Sequence, residues 1–327
     1  MQPLLEVKDL HVKYETGRAV AHALNGVNLT IARGEALGLV GESGAGKTTT
    51  ALATLNLIAQ PAGKRTGGDV LFEGKSVFEM STKELMSMRG SKIAMIFQNP
   101  LTSLNPVFTV GEQIGMVLRK HRNASNKEAL AEAGKLLEVV GIPAARVNEY
   151  PHQFSGGMRQ RVGIAAALAC NPALLIADEP TTALDVTIQA QILELIKELL
   201  TKYSSSLLMI THNLGIIAEI CQNVAVMYAG RIVEYGSVEE VFNTPLHPYT
   251  IGLFGSIPKL EGERERLVSI PGMVANPEHL PSGCAFHTRC DRCMEVCKSE
   301  VPQMVRINDH HYVACHAVTG GQTSDNS

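Results

Sequence analysis

Nowhere in this sequence do apolar residues run for the roughly 18 to 20 positions that a membrane-spanning helix needs. The apolar segments are short: Ala36 to Val40, Gly163 to Cys170, Leu174 to Ala177. The opening MQPLLEVKDL lacks the basic start and apolar core of a secretory leader. The expectation is a chain that stays in the cytoplasm and meets a membrane only through a partner. An excess of basic charge is missing too. Lys and Arg total 29 against 32 Asp and Glu, a formal net charge of −3, which argues against a nucleic-acid binder. There is no internal repeat. Hydrophobic residues at 45% of 327 are enough for a sizeable core, in one large domain plus an appendage or in two domains.

Residues 5–14 alternate loosely and read as a strand, as do Val27 to Ile31 and Ala36 to Val40. Thr48 to Ile58 reads as a helix. Asp69 to Phe72 and Lys92 to Phe97 read as strands, and residues 109 to 141 turn helical. Ala173 to Ala177 is a fully apolar run, as expected of a strand covered on both faces. Ile188, Ile192, Leu195 and Leu199 recur at helical spacing, and Leu207 to Ile210 and Val224 to Met227 are further buried strands. Strands alternating with helices predict an α/β fold with a mainly parallel sheet, preceded by antiparallel N-terminal strands and interrupted by a helical insertion over about 100–165. From Pro245 the character changes. Pro248, Pro258, Pro271, Pro277 and Pro281 break regular structure around the charged run 262–266, so a boundary is placed near 250. A domain over 1–250, an extension over 251–318 and a disordered tail over 319–327 are expected.

Gly41-Glu-Ser-Gly-Ala-Gly46-Lys47-Thr48 fits GxxxxGK[ST], with a buried strand before it and a helix after. Glycines let a loop wrap phosphate closely, and its N–H groups and the helix N-terminus favour negative charge. The candidate phosphate contacts are Gly41, Ser43, Gly44, Gly46, Lys47, Thr48 and Thr49. Lys47 is expected to reach the β- and γ-phosphates, and Thr48 to give Mg²⁺ a hydroxyl. A glycine-rich turn with a chance lysine is the plainer alternative, disfavoured by the flanking pattern. The second half of such a site is an acid at the end of a buried strand, supplied by Asp178-Glu179 after Leu174 to Ala177. Asp178 would hold the Mg²⁺ of ATP and Glu179 polarise the attacking water. Alone, the pair could also be a helix cap. His212 ends another apolar strand, at an edge where ligands bind.

Between these motifs lies Phe154-Ser155-Gly156-Gly157-Met158-Arg159-Gln160-Arg161, which resembles the ABC signature, usually LSGGQ. With it the chain from about 5 to 245 resembles the ABC ATPases, a P-loop NTPase fold. The resemblance implies two subunits that sandwich ATP between the phosphate loop of one and Ser155, Gly156 and Gly157 of the other. It implies that Tyr14 stacks on adenine, where a strand-end core aromatic is the alternative. It implies that Gln98 binds Mg²⁺ or water and faces a permease, that Ala183-Leu184-Asp185 crosses between subunits, and that His212 senses the γ-phosphate. Phe154 and Met158 depart from the pattern without removing a phosphate-contacting group. FQNPLTSLNP (97–106), FSGGMRQRV, ADEPTTALDVTIQAQIL and TPLHPYT (244–250) narrow the resemblance to ATPases of dipeptide and oligopeptide importers, with nickel importers similar. The wording is closer to the D-type subunit than to its F-type companion. A peripheral ATPase on the cytoplasmic face is implied. Its expected partners are two permease subunits, a second ATPase (an F-type chain or a self-copy) and, through the permease, an extracytoplasmic peptide-binding protein. A soluble ABC protein acting on DNA or ribosomes is the rival, but the long coiled coils or tandem cores of such proteins are missing here.

The seven cysteines are uneven. Cys170 and Cys221 stand alone in apolar segments and read as small buried hydrophobes. Cys284, Cys290, Cys293, Cys297 and Cys315 crowd the C-terminal part, which in a reducing compartment favours a metal site over disulfides. Four thiolates suit zinc or an iron–sulfur cluster, with His287, His311 or His316 able to replace one, and spacing does not separate these. The resemblance implies a [4Fe–4S] cluster on Cys284, Cys290, Cys297 and Cys315, with Cys293 surplus and zinc or free thiols as alternatives.

Overall fold

A computed structural model describes residues 2–17, 19–99, 103–182, 184–255 and 270–320. The charged run 262–266, Pro258, residues 100–102, Ala183 and the tail from 321 onward lie outside the described residues. Two compact units interleave along the chain: Met1–Leu4, Ile31–Ala36 and Glu79–Ile210 form one, and Leu5–Thr30, Leu37–Phe78 and Thr211–Ser327 the other. Among the described residues, no helix is long and apolar enough to cross a membrane.

In chain order the strands are β1 (Leu5–Thr16), β2 (Ala19–Ile31), β3 (Ala36–Val40), β4 (Gly63–Phe72), β5 (Lys75–Ser76) and β6 (Ile93–Ile96). They continue with β7 (Leu174–Asp178), β8 (Ser206–Ile210), β9 (Asn223–Tyr228), β10 (Arg231–Ser237), β11 (Val305–Asn308) and β12 (His311–Val313). One sheet has the order β2-β1-β4-β5 and holds β1 and β4 antiparallel, from Leu5 opposite Phe72 to Tyr14 opposite Gly63. The alternation of β1 is loose for a physical reason. Its register slips between Lys8 and His11, and Asp9 there takes a left-handed φ of 45°. This bulge returns Leu10 and Val12 to the buried face.

In the unit that holds them, β6, β7 and β8 are parallel, with Ile96 opposite Ala177 and Asp178 opposite Ile210. Every residue of β7 and β8 is buried, which is why both read as unbroken apolar runs. In the other unit β3 runs parallel to β9, and β9, β10, β12 and β11 continue antiparallel.

The helical stretch expected over 109 to 141 is two helices, Val110–Arg122 and Asn126–Val139, with Asn123 left-handed between them. Capping boxes at Thr109/Glu112 and Ser125/Glu128 start them, a spacing present in the sequence but invisible to periodicity. Together with Gly156–Leu168 they form the expected helical insertion. The helix expected over 48–58 stops at Thr54, where Asn56 turns left-handed. Cys221 is buried as expected, whereas Cys170 is only half-buried.

Strands β10, β11 and β12 are not anticipated by the sequence pattern. Glu234 makes β10 read as half-polar, yet this carboxylate is fully buried. Its oxygens accept from the Leu246 and His247 N–H groups at 2.8 and 2.9 Å, and His311 Nε2 lies 2.7 Å away. A buried acid so satisfied ties β10 to β12 and to the segment 246–247. Glu234→Ala is expected to cost about 3 kcal/mol, because it strands the buried His311 and His247 N–H together with the half-buried Leu246 N–H. Glu295→Ala, on the surface, is expected to stay within about 0.5 kcal/mol. Urea denaturation of both variants checks this.

Candidate functional site

β3 delivers the chain into the glycine loop, and the helix Lys47–Thr54 leaves it. A Cβ on Gly41 would lie 2.2 Å from the carbonyl oxygen of Met227, and one on Gly46, at φ +108°, would lie 2.6 Å from that of Ala23. Only glycine fits either place. No side chain caps the helix and no acid stands in its first turn, so its dipole favours an anion there. Ser43, Gly44 and Thr48 are exposed, Thr49 is half-buried and Lys47 is buried. The Lys47 ammonium donates to the carbonyls of Gly41 at 2.7 Å and Glu42 at 3.0 Å, which holds it over the loop.

Glu42 is anchored on its other sides as well. Its N–H donates to the hydroxyl of the fully buried Tyr249 at 2.8 Å. Its carboxylate accepts two bonds from Arg289, at 2.7 and 3.1 Å. The segment TPLHPYT thus acquires a structural meaning. His247 Nδ1 accepts the Tyr249 N–H at 3.0 Å, and His247 is itself held through its own N–H by Glu234. Burial pushes the His247 pKa down to about 3, so the ring is neutral and able to accept.

Thr211 donates its N–H to Leu39 of β3 at 3.4 Å, so the exposed His212 follows a residue bonded two positions before Gly41. Tyr14 is half-buried near the end of β1, opposite Gly63.

In the other unit, Asp178 ends β7 and is 2% exposed. Glu179 follows with φ 46°, a left-handed conformation rare for such a side chain, and its N–H donates to Ile210 at 2.8 Å. Its carboxylate accepts from Gln98 Nε2 at 2.8 Å and from the Thr182 hydroxyl at 2.9 Å. Gln98 and Glu179, 81 residues apart, are therefore in direct contact. Ser155 caps the helix Gly156–Leu168 through Met158, and again no acid stands in the first turn. A Cβ on Gly157 would lie 2.6 Å from Ile188, so this helix start packs closely on the helix Val186–Tyr203. Asp185 caps that second helix by accepting from Ile188 at 3.0 Å.

Cys284 lies within electrostatic reach of Cys290, Cys297 and Cys315, and Cys290 and Cys297 within reach of Cys315. Burial pushes Cys284 and Cys290 up to about 11 and Cys315 upward as well, which keeps these thiols protonated. Cys297 and Cys315 are buried, while Cys293 stands at the edge with its thiol on the Met294 carbonyl. Among the described residues, however, no three His, Cys, Asp or Glu side chains converge on the position of one metal ion. The four thiols are neighbours without forming a single-ion site.

Sequence reasoning misses Arg289, Tyr249 and Glu42. TPLHPYT is legible only as a family marker, and Arg289 reads as a spacer between cysteines. No periodicity points from one to the other.

Comparison with known proteins places residues 24–182 in the ABC transporter family, and residues 233–297 match the C-terminal region of oligopeptide/dipeptide transporters. The oligopeptide transport ATP-binding protein OppD of Bacillus subtilis is 52% identical over 95% of this chain and 87% of its own. OppD of Escherichia coli is 50% identical over 91% and 89%. Among solved structures, the dimeric ATP-binding cassette MJ0796 bound to ADP and Pi in a post-hydrolysis state superposes with a TM-score of 0.64. It is 30% identical and covers 72% of this chain and 98% of that one.

The neutral His247 makes stability depend on pH. Its folded pKa lies below the unfolded value, so its contribution is present above about 6.5 and is lost as pH falls toward 3. His247→Asn, which keeps an acceptor for the Tyr249 N–H, is expected to flatten the stability slope between pH 6.5 and 4. The flattening approaches one proton, about 1.4 kcal/mol per pH unit. Denaturation midpoints across that range check it.

Proposed function

The chain belongs to the peptide-import ATP-binding proteins of the ABC transporter family, and from that premise we propose that it is the ATP-hydrolysing subunit that energises uptake of dipeptides or oligopeptides. The observation that carries this reading is the Gln98–Glu179 hydrogen bond. It joins the segment implied to face the permease to the carboxylate implied to polarise the attacking water. A transport ATPase requires such a link between its partner and its chemistry.

In this reading Gly41, Ser43, Gly44, Gly46, Lys47, Thr48 and Thr49 bind the phosphates and Tyr14 stacks on adenine. Ser155, Gly156, Gly157 and Asp185 act toward a second subunit. Thr48, Asp178 and Gln98 offer hard oxygen donors that suit Mg²⁺, which would neutralise charge on the β- and γ-phosphates. Glu179 orients the water, with Gln98 and Thr182 holding its carboxylate in place. Lys47 and His212 stabilise charge developing on the transferred phosphoryl group. Closure of two ATPase subunits then transmits motion through helices near Gln98 to Asn105 to permease loops, and hydrolysis reopens the pair.

The partners proposed are two permease subunits, a second ATPase (an F-type chain or a second copy) and an extracytoplasmic binding protein. The chain is placed on the cytoplasmic face of the membrane. Residues 1–250 are proposed as the ATPase domain and 251–318 as its extension. There we propose that Cys284, Cys290, Cys297 and Cys315 would hold a [4Fe–4S] cluster. The mutual proximity of these thiols is what supports this reading, and zinc is the alternative on the same residues. Bound, such a group would crosslink a segment too short for its own core.

Two measurements test these proposals. Uptake of a labelled dipeptide, an oligopeptide and nickel is followed in cells lacking the gene and in cells carrying Glu179→Gln. Peptide uptake is expected to fall at least a hundredfold in both (an order set by loss of a catalytic group). A fall in nickel uptake alone would replace the substrate, and no change in any would return the soluble ABC reading. Anaerobic purification is expected to yield about four irons per chain, lost in Cys290→Ser. Stoichiometric zinc instead would overturn the cluster.

A further inference from the structure

The phosphate-binding loop contains an acid. Glu42 is its second residue, and a carboxylate beside an anion site opposes the ligand by like charge. The Lys47 ammonium, which the phosphates would use, rests on the main-chain carbonyl of the same residue at 3.0 Å. Arg289 answers this charge from 247 residues away in sequence. It grips both carboxylate oxygens, at 2.7 and 3.1 Å, in the fork geometry that a guanidinium matches and an ammonium does not.

Arg289 is held in turn. Its Nε donates to the Pro271 carbonyl at 3.0 Å, and Nη1 reaches the Tyr228 hydroxyl at 3.4 Å. The guanidinium carbon stands 5.8 Å from the ring centroids of both Tyr228 and Phe286. Its side chain is 3% exposed, against 26% for Glu42, so solvent ions screen the pair only from the Glu42 side. The short turn His287–Arg289 that carries the arginine runs directly into Cys290.

We propose that Arg289 is a positioning residue for ATP binding: it neutralises the Glu42 carboxylate and holds it in place, leaving the loop and Lys47 to the phosphates. This rests on the reading that the loop binds ATP. It gives the C-terminal extension a part in nucleotide binding.

The test is equilibrium titration of the full-length purified chain with fluorescent trinitrophenyl-ATP. Arg289→Ala is expected to weaken binding about tenfold, and Arg289→Lys, which keeps the charge but not the fork, about threefold. Glu42→Gln alone is measured alongside as the reference for the double variant. The deciding variant is the double Glu42→Gln/Arg289→Ala, expected to return to within about threefold of wild type because the charge needing neutralisation is gone. A purely structural role for Arg289 predicts a double variant as weak as the single one, and that result overturns the proposal, as does Arg289→Ala binding like wild type. Should Arg289→Ala not fold, Arg289→Lys compared with and without Glu42→Gln carries the same test. If wild type itself fails to bind while remaining folded, the ATP reading falls instead.

Discussion

Gly41 passes so close to the main chain of Met227 that a methyl group there would sit 2.2 Å from a carbonyl oxygen. That steric constraint fixes the entry of the loop, and much of its unit is arranged around keeping the loop in that place. β3 and β9 are parallel neighbours, and β9 carries Met227. Since the loop has no side chain at this point to pack, its position is secured from the next residue. Glu42 is bonded through its N–H, its carbonyl and its carboxylate, to Tyr249, Lys47 and Arg289. Each bond uses a polar group on the loop's flank and leaves the helix start uncapped and free of acid. An anion site needs this combination: a rigid perimeter and a helix start with no side-chain cap at its centre.

The perimeter reaches far along the sequence. Tyr249 is set by His247, His247 by Glu234, and Glu234 also binds His311 of β12. A buried polar chain of this kind is stable only while every member is satisfied. It explains why a histidine and a glutamate, both unfavourable to bury alone, occupy the interior beside the loop. In the other unit a comparable constraint appears at Glu179. A left-handed backbone costs about 1–3 kcal/mol at a non-glycine residue, and here it presents a carboxylate to Gln98 and Thr182.

Much of this is legible in the sequence wherever chemistry is local. The strand–glycine–helix pattern around Gly41 to Thr48 and the apolar run before Asp178 state their structure in adjacent residues. β3 has the expected bounds, and β7 lies within a residue of them, because a doubly covered strand must be apolar throughout. Legibility fails where an apparent rule is overridden by tertiary pairing. Glu234 disguises β10 because its partners lie 12, 13 and 77 residues away. Asn123 divides a helix that periodicity alone runs together. Arg289 gives no sign of its target, since nothing in a cysteine-flanked turn points to residue 42. The resemblance implies four cysteine ligands, while among the described residues no three such side chains converge as one ion would require.

The central claim is that this chain turns ATP hydrolysis into peptide uptake. The most direct measurement is the ATPase rate of the transporter reconstituted in proteoliposomes, with its binding protein, in the presence and absence of a transported peptide. A peptide-stimulated rate is expected, and it should disappear when Lys47 is replaced by alanine in this subunit. A rate indifferent to peptide, or one that survives the loss of Lys47 unchanged, would contradict the claim.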